Sequence, residues 1–205
     1  MEIVAATTNK NKIAELSAVG REFGIEILSP ADLQKRESLG PIPVYEEDGT
    51  TYLENARIKA GVFVAWAGIP ALGDDSGLEV AALDGRPGLH SARYGGQGST
   101  DDQKIKLLLA ELAACGSDAD RTAHYRCVLV LRYPGGNELT AESLLPGEVL
   151  YQPQGSSGFG YDPIIRLSNL GKTLAQVDFE TTVKDGFRPI AARRLFGQIA
   201  VLKDN

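Results

Sequence analysis

Glu2 to Leu28, EIVAATTNKNKIAELSAVGREFGIEIL, decides the fold. Glu2 to Ala6 is short and β-prone, and a polar run, Thr7-Thr8-Asn9-Lys10-Asn11-Lys12, follows it. Ile13, Leu16 and Val19 or Phe23 then recur on one face at helical spacing. Ile25 to Leu28 reads as a second strand. Strand, loop, helix and strand make a βαβ unit, so the spacing predicts an α/β sheet.

The rest of the chain extends this pattern. Residues 30 to 50 are polar and carry Pro30, Pro41, Pro43 and Gly49, which predicts a long functional or mobile loop. A helix is predicted over Thr51 to Ala67, with Leu53, Ala56, Ala60, Val64 and Ala67 on its buried stripe and Glu54, Asn55 and Lys59 projecting elsewhere. Gln103 to Ala114 is a second strong helix, with Ile105, Leu108, Leu109 and Leu112 on one side. His124 to Tyr133 and Glu138 to Leu145 flank Pro134-Gly135-Gly136-Asn137 and read as a hairpin, so the sheet is expected to be mixed. A last helix starts near Pro189 and carries Ile190, Leu195, Ile199 and Leu202 along one side.

Composition bounds the function. A chain of 205 residues with 43% hydrophobic content can fill one core, so a single domain is expected. The net charge of −6 repels polyanions, which excludes a nucleic-acid scaffold or a membrane-surface protein but leaves room for a small anion held by locally concentrated cations. No signal peptide and no apolar run long enough to span a bilayer is found, so a cytoplasmic protein is expected. Cys115 and Cys127 are too few and wrongly spaced for a zinc site, and His90 and His124 form no HExxH or triad pattern.

Three segments carry candidate chemistry. Ala71 to Gly77, ALGDDSG, is an apolar run ending in Asp74 and Asp75, where carboxylates are costly unless a cation or donors compensate them. Oxygen ligands of this kind suit Mg²⁺; a solvated Asp-Asp turn capped by Ser76 is the other reading. Thr7 to Lys12 lies between strand and helix, where backbone N–H groups, hydroxyls and lysines converge on a point that attracts phosphate. The alternative is that Thr8 or Asn9 merely caps the helix. Gly155 to Pro163, GSSGFGYDP, pairs flexible backbone with two aromatic faces, fit either to hold a flat ring or to form a compact glycine turn. Lys59 supplies a second phosphate cation, and Glu46 and Glu47 can add a carboxylate to the aspartates. The ligand that suits all of these is a metal-bound nucleoside polyphosphate.

TTNKNKIAEL, EEDGTTYLENARIKA, ALGDDSGLEVAALDGRPGLHSARYGG and GFGYDP occur in the order and spacing of the inosine triphosphate pyrophosphatase family, which the chain therefore resembles over most of its length. The resemblance implies one pyrophosphatase domain over residues 1–205, built on a long central mixed sheet with helices flanking two lobes around an active-site cleft. It implies a homodimeric, Mg²⁺-dependent hydrolase that cuts aberrant purine nucleoside triphosphates such as ITP, dITP and XTP between the α- and β-phosphates. In that comparison Thr7, Thr8, Asn9, Lys10, Asn11 and Lys12 resemble the phosphate loop, and Lys59 a phosphate-contacting lysine. Glu47 and Asp75 resemble the metal ligands, with Asp75 or its neighbour Asp74 accepting the proton and Lys12 steadying the leaving charge. Ser76 resembles a substrate contact, and Phe159, Gly160, Tyr161 and Asp162 resemble the segment holding the base.

One motif departs from the family. Where it usually places a base-reading Lys and, five residues on, a His-Arg pair, this chain has Thr182 and Gly186-Phe187-Arg188-Pro189. Only Arg188 stays in place, and Phe187 cannot donate the hydrogen bond that a His would. Lys184 or Arg193 is available as a substitute. Two alternatives follow: a pyrophosphatase of altered or broader nucleotide specificity, or a nucleotide-binding protein without catalysis.

Overall fold

β1 (Glu2–Ala5), α1 (Lys10–Glu22) and β2 (Glu26–Leu28) form the expected βαβ unit, with β1 parallel to β2 and Ile3 opposite Ile27. The computed structural model describes residues 1–37 and 39–203; the side chain of Leu202 lies outside the described residues. α1 buries Leu16 and Val19 as their spacing demands, but Glu15 shares that face.

The loop expected over residues 30 to 50 begins instead as a helix, α2 (Pro30–Glu37). Pro30 occupies its first position, where a missing N–H costs nothing. Ser29 Oγ accepts from the Asp32 N–H at 3.1 Å and donates to Asp32 Oδ2 at 2.6 Å, so the first turn is capped. Leu33 anchors the helix in a cluster with Val4, Ala6, Leu28, Phe63 and Ala71, on which Leu39, Ile42 and Tyr45 also pack. Spaced apolar residues thus pin a segment whose polar composition suggested a free loop.

α3 (Tyr52–Ala67) starts at a capping box between Thr51 and Glu54 and ends at Gly68 in left-handed backbone. Its buried stripe is Tyr52, Asn55, Ala56, Lys59, Ala60 and Phe63 rather than the expected Leu53, Val64 and Ala67. Close packing on β3 (Ala71–Val80) decides this. A Cβ on Gly73 would lie 2.0 Å from the Ala56 carbonyl oxygen and 3.0 Å from the Ala60 nitrogen, so small residues on both partners let helix and strand touch.

β4 (Thr122–Arg132) and β5 (Glu138–Val149) are joined by the expected Pro134–Asn137 turn, and β6 (Ile165–Leu167) completes a six-stranded sheet in the order β2-β1-β3-β4-β5-β6. β1 also runs parallel to β3, while β5 and β6 are antiparallel, so the sheet is mixed. Among the described residues, α4 (Asp101–Ala114), α5 (Phe179–Asp185) and α6 (Phe187–Lys203) are the further α-helices. Among the described residues no helix is long and apolar enough to cross a membrane.

The chain divides into two compact units. The first holds Met1–Asp75, Cys127–Ser143 and Arg188–Asn205; the second holds Ser76–Arg126 and Leu144–Phe187.

Candidate active site

In the first unit, β3 delivers Asp74 and Asp75 at consecutive positions, and a strand's period of two sends consecutive side chains to opposite faces. The two carboxylates therefore do not form one site, as the adjacent acids of DDSG suggested. Asp75 joins residues of α3 and the preceding loop; Asp74 joins residues of α1 and α6.

On the first face, Lys59 Nζ lies 2.7 Å from Asp75 Oδ1 and 2.7 Å from Glu47 Oε1, and donates to the Asp74 carbonyl at 3.0 Å. Asn55 links loop to strand: its Oδ1 accepts the Gly49 N–H at 2.9 Å while its Nδ2 donates to Asp75 Oδ2 at 3.3 Å. The loop carrying Glu47 is anchored on either side of it, by the Gly49 N–H on Asn55 and by Tyr45, whose ring packs edge-on against Phe63. Glu46, by contrast, is exposed. Burial disfavours the charge on Lys59, yet Asp75 and Glu47 hold its pKa above the usual lysine range. Burial pushes the Asp75 carboxyl up, against the pull of Lys59. Lys59 is 4% exposed, so its ammonium serves these carboxylates first.

On the opposite face, Asp74 Oδ1 pairs with Lys12 Nζ at 2.6 Å and Oδ2 with Arg188 Nε at 2.5 Å. Arg188 Nη1 reaches Glu15 Oε2 at 3.0 Å. Burial penalises the charge on Asp74, but Arg188 and Lys12 outweigh it and hold the carboxyl well below its ordinary range. With both oxygens engaged by cations and its carboxyl held low, Asp74 is a weaker base than Asp75, which argues against it as the alternative proton acceptor. Arg188 is 1% exposed, and its Nε and Nη1 are committed to two carboxylates.

The Thr7 to Lys12 loop carries the cap that was one of its two readings: Asn9 Oδ1 accepts the N–H groups of Asn11 at 2.9 Å and Lys12 at 3.2 Å, and Thr7 Oγ1 accepts that of Asn9. Thr8, Lys10 and Asn11 are exposed beside it.

Within the second unit, the glycine-rich segment is tied into a turn. Asp162 is 5% exposed; its Oδ2 accepts the Phe159 N–H at 2.9 Å and its Oδ1 the Tyr125 hydroxyl at 3.1 Å. Asp101 accepts the Gly160 N–H at 2.7 Å, and the Tyr161 hydroxyl donates to the Ser91 carbonyl at 3.0 Å. Gly158 has φ +77°, and a Cβ there would meet Asp162 Oδ2 at 2.3 Å, so no other residue fits this turn. Asp162 is therefore a buried organiser of the turn. Phe187 stacks on Tyr125, with ring centroids 4.4 Å apart and planes at 13°. Ser76 is half-buried on β3 in this unit.

Thr182 caps back within α5 onto the Asp178 carbonyl, and Lys184 is exposed on the same helix. Arg193 belongs to the first unit, where both ends of its fork engage Glu22. His124 pairs with Glu79 rather than entering the carboxylate cluster, and Cys127 is fully buried.

The family model described as Ham1 family matches residues 3–198. The chain belongs to the Ham1 family. This Ham1 chain is 46% identical over 178 residues to the dITP/XTP pyrophosphatase of Desulfotalea psychrophila, covering 87% of this chain and 76% of that relative. It is 38% identical to the dITP/XTP pyrophosphatase of Exiguobacterium sp., with 97% of each chain covered. The solved HAM1 protein from Coxiella burnetii superposes with a TM-score of 0.81 at 35% identity, over 100% of both chains. The resemblance read from the four motifs is borne out. Sequence reasoning about this Ham1 chain missed Glu15 and Asn55 as members of the site. Glu15 had a signal, since it lies beside Leu16 on the face that the apolar spacing of α1 turns inward; Asn55 had none, because the apolar spacing of α3 sent it elsewhere and close packing on Gly73 turned it in.

Proposed function

We propose that this chain is a nucleoside triphosphate pyrophosphatase that converts dITP, XTP and ITP to the monophosphate and pyrophosphate, removing aberrant purine nucleotides from the cytoplasmic pool. The observation that carries the reading is the meeting of Glu47 and Asp75, from separate segments, on one Lys59 ammonium at 2.7 Å each. Dedicated relatives named dITP/XTP pyrophosphatase support the substrate class. The functional form is a homodimer.

Mg²⁺ fits this donor set. Glu47 and Asp75 are hard oxygen donors from a loop and a strand, and among the described residues no group of three or more His, Cys, Asp or Glu could hold a metal by itself. Two carboxylates leave positions for phosphate oxygens and water, as Mg²⁺ prefers. When bound there, the ion would neutralise triphosphate charge and acidify a coordinated water.

The chain's own residues divide the remaining work. Asp75, whose carboxyl is raised by burial, is the proton acceptor for the attacking water. Lys12, whose own partner is Asp74 but whose charge is near enough to act on Asp75, binds the departing pyrophosphate together with the exposed atoms of the Thr7 to Asn11 loop and stabilises its charge. Lys59 holds Glu47 and Asp75 close together against their mutual repulsion, and reaches the phosphates as the substrate enters. Within the second unit, Ser76 and the Phe159 to Tyr161 stretch of the turn that Asp162 organises are the residues for the nucleoside.

The deciding measurement is pyrophosphate release from dITP and XTP with Mg²⁺, with and without a chelator. Turnover is expected with the metal, lost on chelation, and at least ~100-fold lower in Glu47→Ala. Nucleotide binding without release above that control would overturn the reading in favour of a non-catalytic binder. A second reading is favoured by one observation: the Phe187 ring, stacked on Tyr125, stands where the resemblance calls for a donor. On that reading the nucleotide range is broader, and dITP is preferred over dGTP by less than about tenfold in kcat/KM.

A further inference from the structure

We infer that Arg188 is a positioning residue for the phosphate grip, fixing Asp74 so that Asp74 in turn holds the Lys12 ammonium beside the Thr7 to Lys12 loop. The inference rests on the reading of Lys12 as a phosphate contact. Glu15, Arg188, Asp74 and Lys12 form a row of alternating charge, joined at 3.0, 2.5 and 2.6 Å. Three of its members are nearly sealed from solvent: Arg188 and Asp74 are each 1% exposed and Glu15 is 6% exposed. Only Lys12, with 16% of its side chain exposed, reaches the surface at the loop.

The order of the row matters. Glu15 lies three residues after Lys12 on α1, the spacing at which helix side chains meet. With Arg188 in place, Glu15 has its own cation and Asp74 Oδ2 is occupied, so Lys12 answers to a single carboxylate oxygen. Without that guanidinium, two buried carboxylates compete for Lys12 and draw it inward, away from any incoming phosphate. A lysine at 188 keeps the charge but not the rigid fork that contacts Asp74 and Glu15 together. The committed Nε and Nη1 atoms and the burial of Arg188 also set it apart from a side chain that donates to a base.

Inorganic pyrophosphate, which has no base, separates these roles. Calorimetry with Mg²⁺ and pyrophosphate is run on the wild-type chain, Lys12→Ala, Arg188→Lys and the double variant. Arg188→Lys is expected to weaken pyrophosphate binding at least ~5-fold, and Lys12→Ala by as much or more. In the double variant the loss should equal that of Lys12→Ala alone, because Arg188 acts through Lys12. The dITP to dGTP ratio of kcat/KM should stay unchanged in Arg188→Lys. Unchanged pyrophosphate binding with an altered ratio would identify a base contact and overturn the inference; so would losses that add in the double variant. If Arg188→Lys does not fold, Glu15→Gln replaces it: weakened pyrophosphate binding that vanishes as an effect in the Lys12→Ala background supports the inference, and no weakening overturns it. Failure of the proposed activity is seen separately, as absence of pyrophosphate release by the wild-type chain.

Discussion

Asp74 and Asp75 are neighbours in sequence with opposite duties, because a strand turns them to opposite faces and each face supplies different partners. Asp75 keeps a raised carboxyl beside Glu47 and Lys59; Asp74 is locked as an anion by Arg188 and Lys12. Asp75→Asn should therefore lower kcat at least ~100-fold while leaving pyrophosphate binding measurable by calorimetry. Asp74→Asn should act on stability, costing about 3–5 kcal/mol at pH 7 in urea denaturation because buried Arg188 is left short of a counter-charge. The pH dependence follows in sign. The native carboxyl of Asp74 titrates below the ordinary aspartate value of 3.8, so its contribution is complete above 3.8 and fades as pH falls through the depressed native value. The stability gap between wild type and Asp74→Asn should narrow below pH 3.8; a gap independent of pH down to 2.5 would contradict the ion-pair account.

The site geometry is set where α3 lies against β3. Gly73 meets the Ala56 carbonyl so closely that even a methyl group must push the helix away, carrying Asn55 and Lys59 from Asp75. Gly73→Ala is expected to cost about 1–3 kcal/mol and to lower kcat as well, whereas Gly135→Ala, in open space at the turn, should change neither. Thermal denaturation and initial rates on both variants check this. α1, α3, α4 and the β4–β5 turn were legible because their periodicity, caps and turn residues are local signals. α2 was not, since eight residues rich in charge gave no period to read and its stability comes from Leu33 reaching a cluster assembled by other segments. The inward face of α3 was misread for a related reason. Leu53 and Val64 are more apolar than Asn55 and Lys59, but contact with Gly73 and Asp75 chooses the face.

At the scale of the molecule, the chain's two ends build one unit. α6 brings Arg188 to Asp74 and Glu15 and buries Leu195, Phe196 and Ile199, while β1 and α1 come from the beginning of the sequence. A fragment ending at Gly186 should thus lose the first unit as a whole, because it strands two buried carboxylates and removes part of the core. Circular dichroism and limited proteolysis of residues 1–186 should report a chain that does not fold cooperatively; a fragment with native-like melting would refute this placement of α6.

By itself the sequence determined the α/β class, the βαβ start, the family and the segments that carry acids and lysines, because spacing, caps and motif order are local properties. Only the tertiary structure decided which of those groups meet. Strand alternation parted Asp74 from Asp75, and the Gly73 contact turned Asn55 and Lys59 inward. The return of α6 converted Arg188 into the partner of buried acids some hundred and more residues away, since long-range packing, not local pattern, selects the neighbours of a charge.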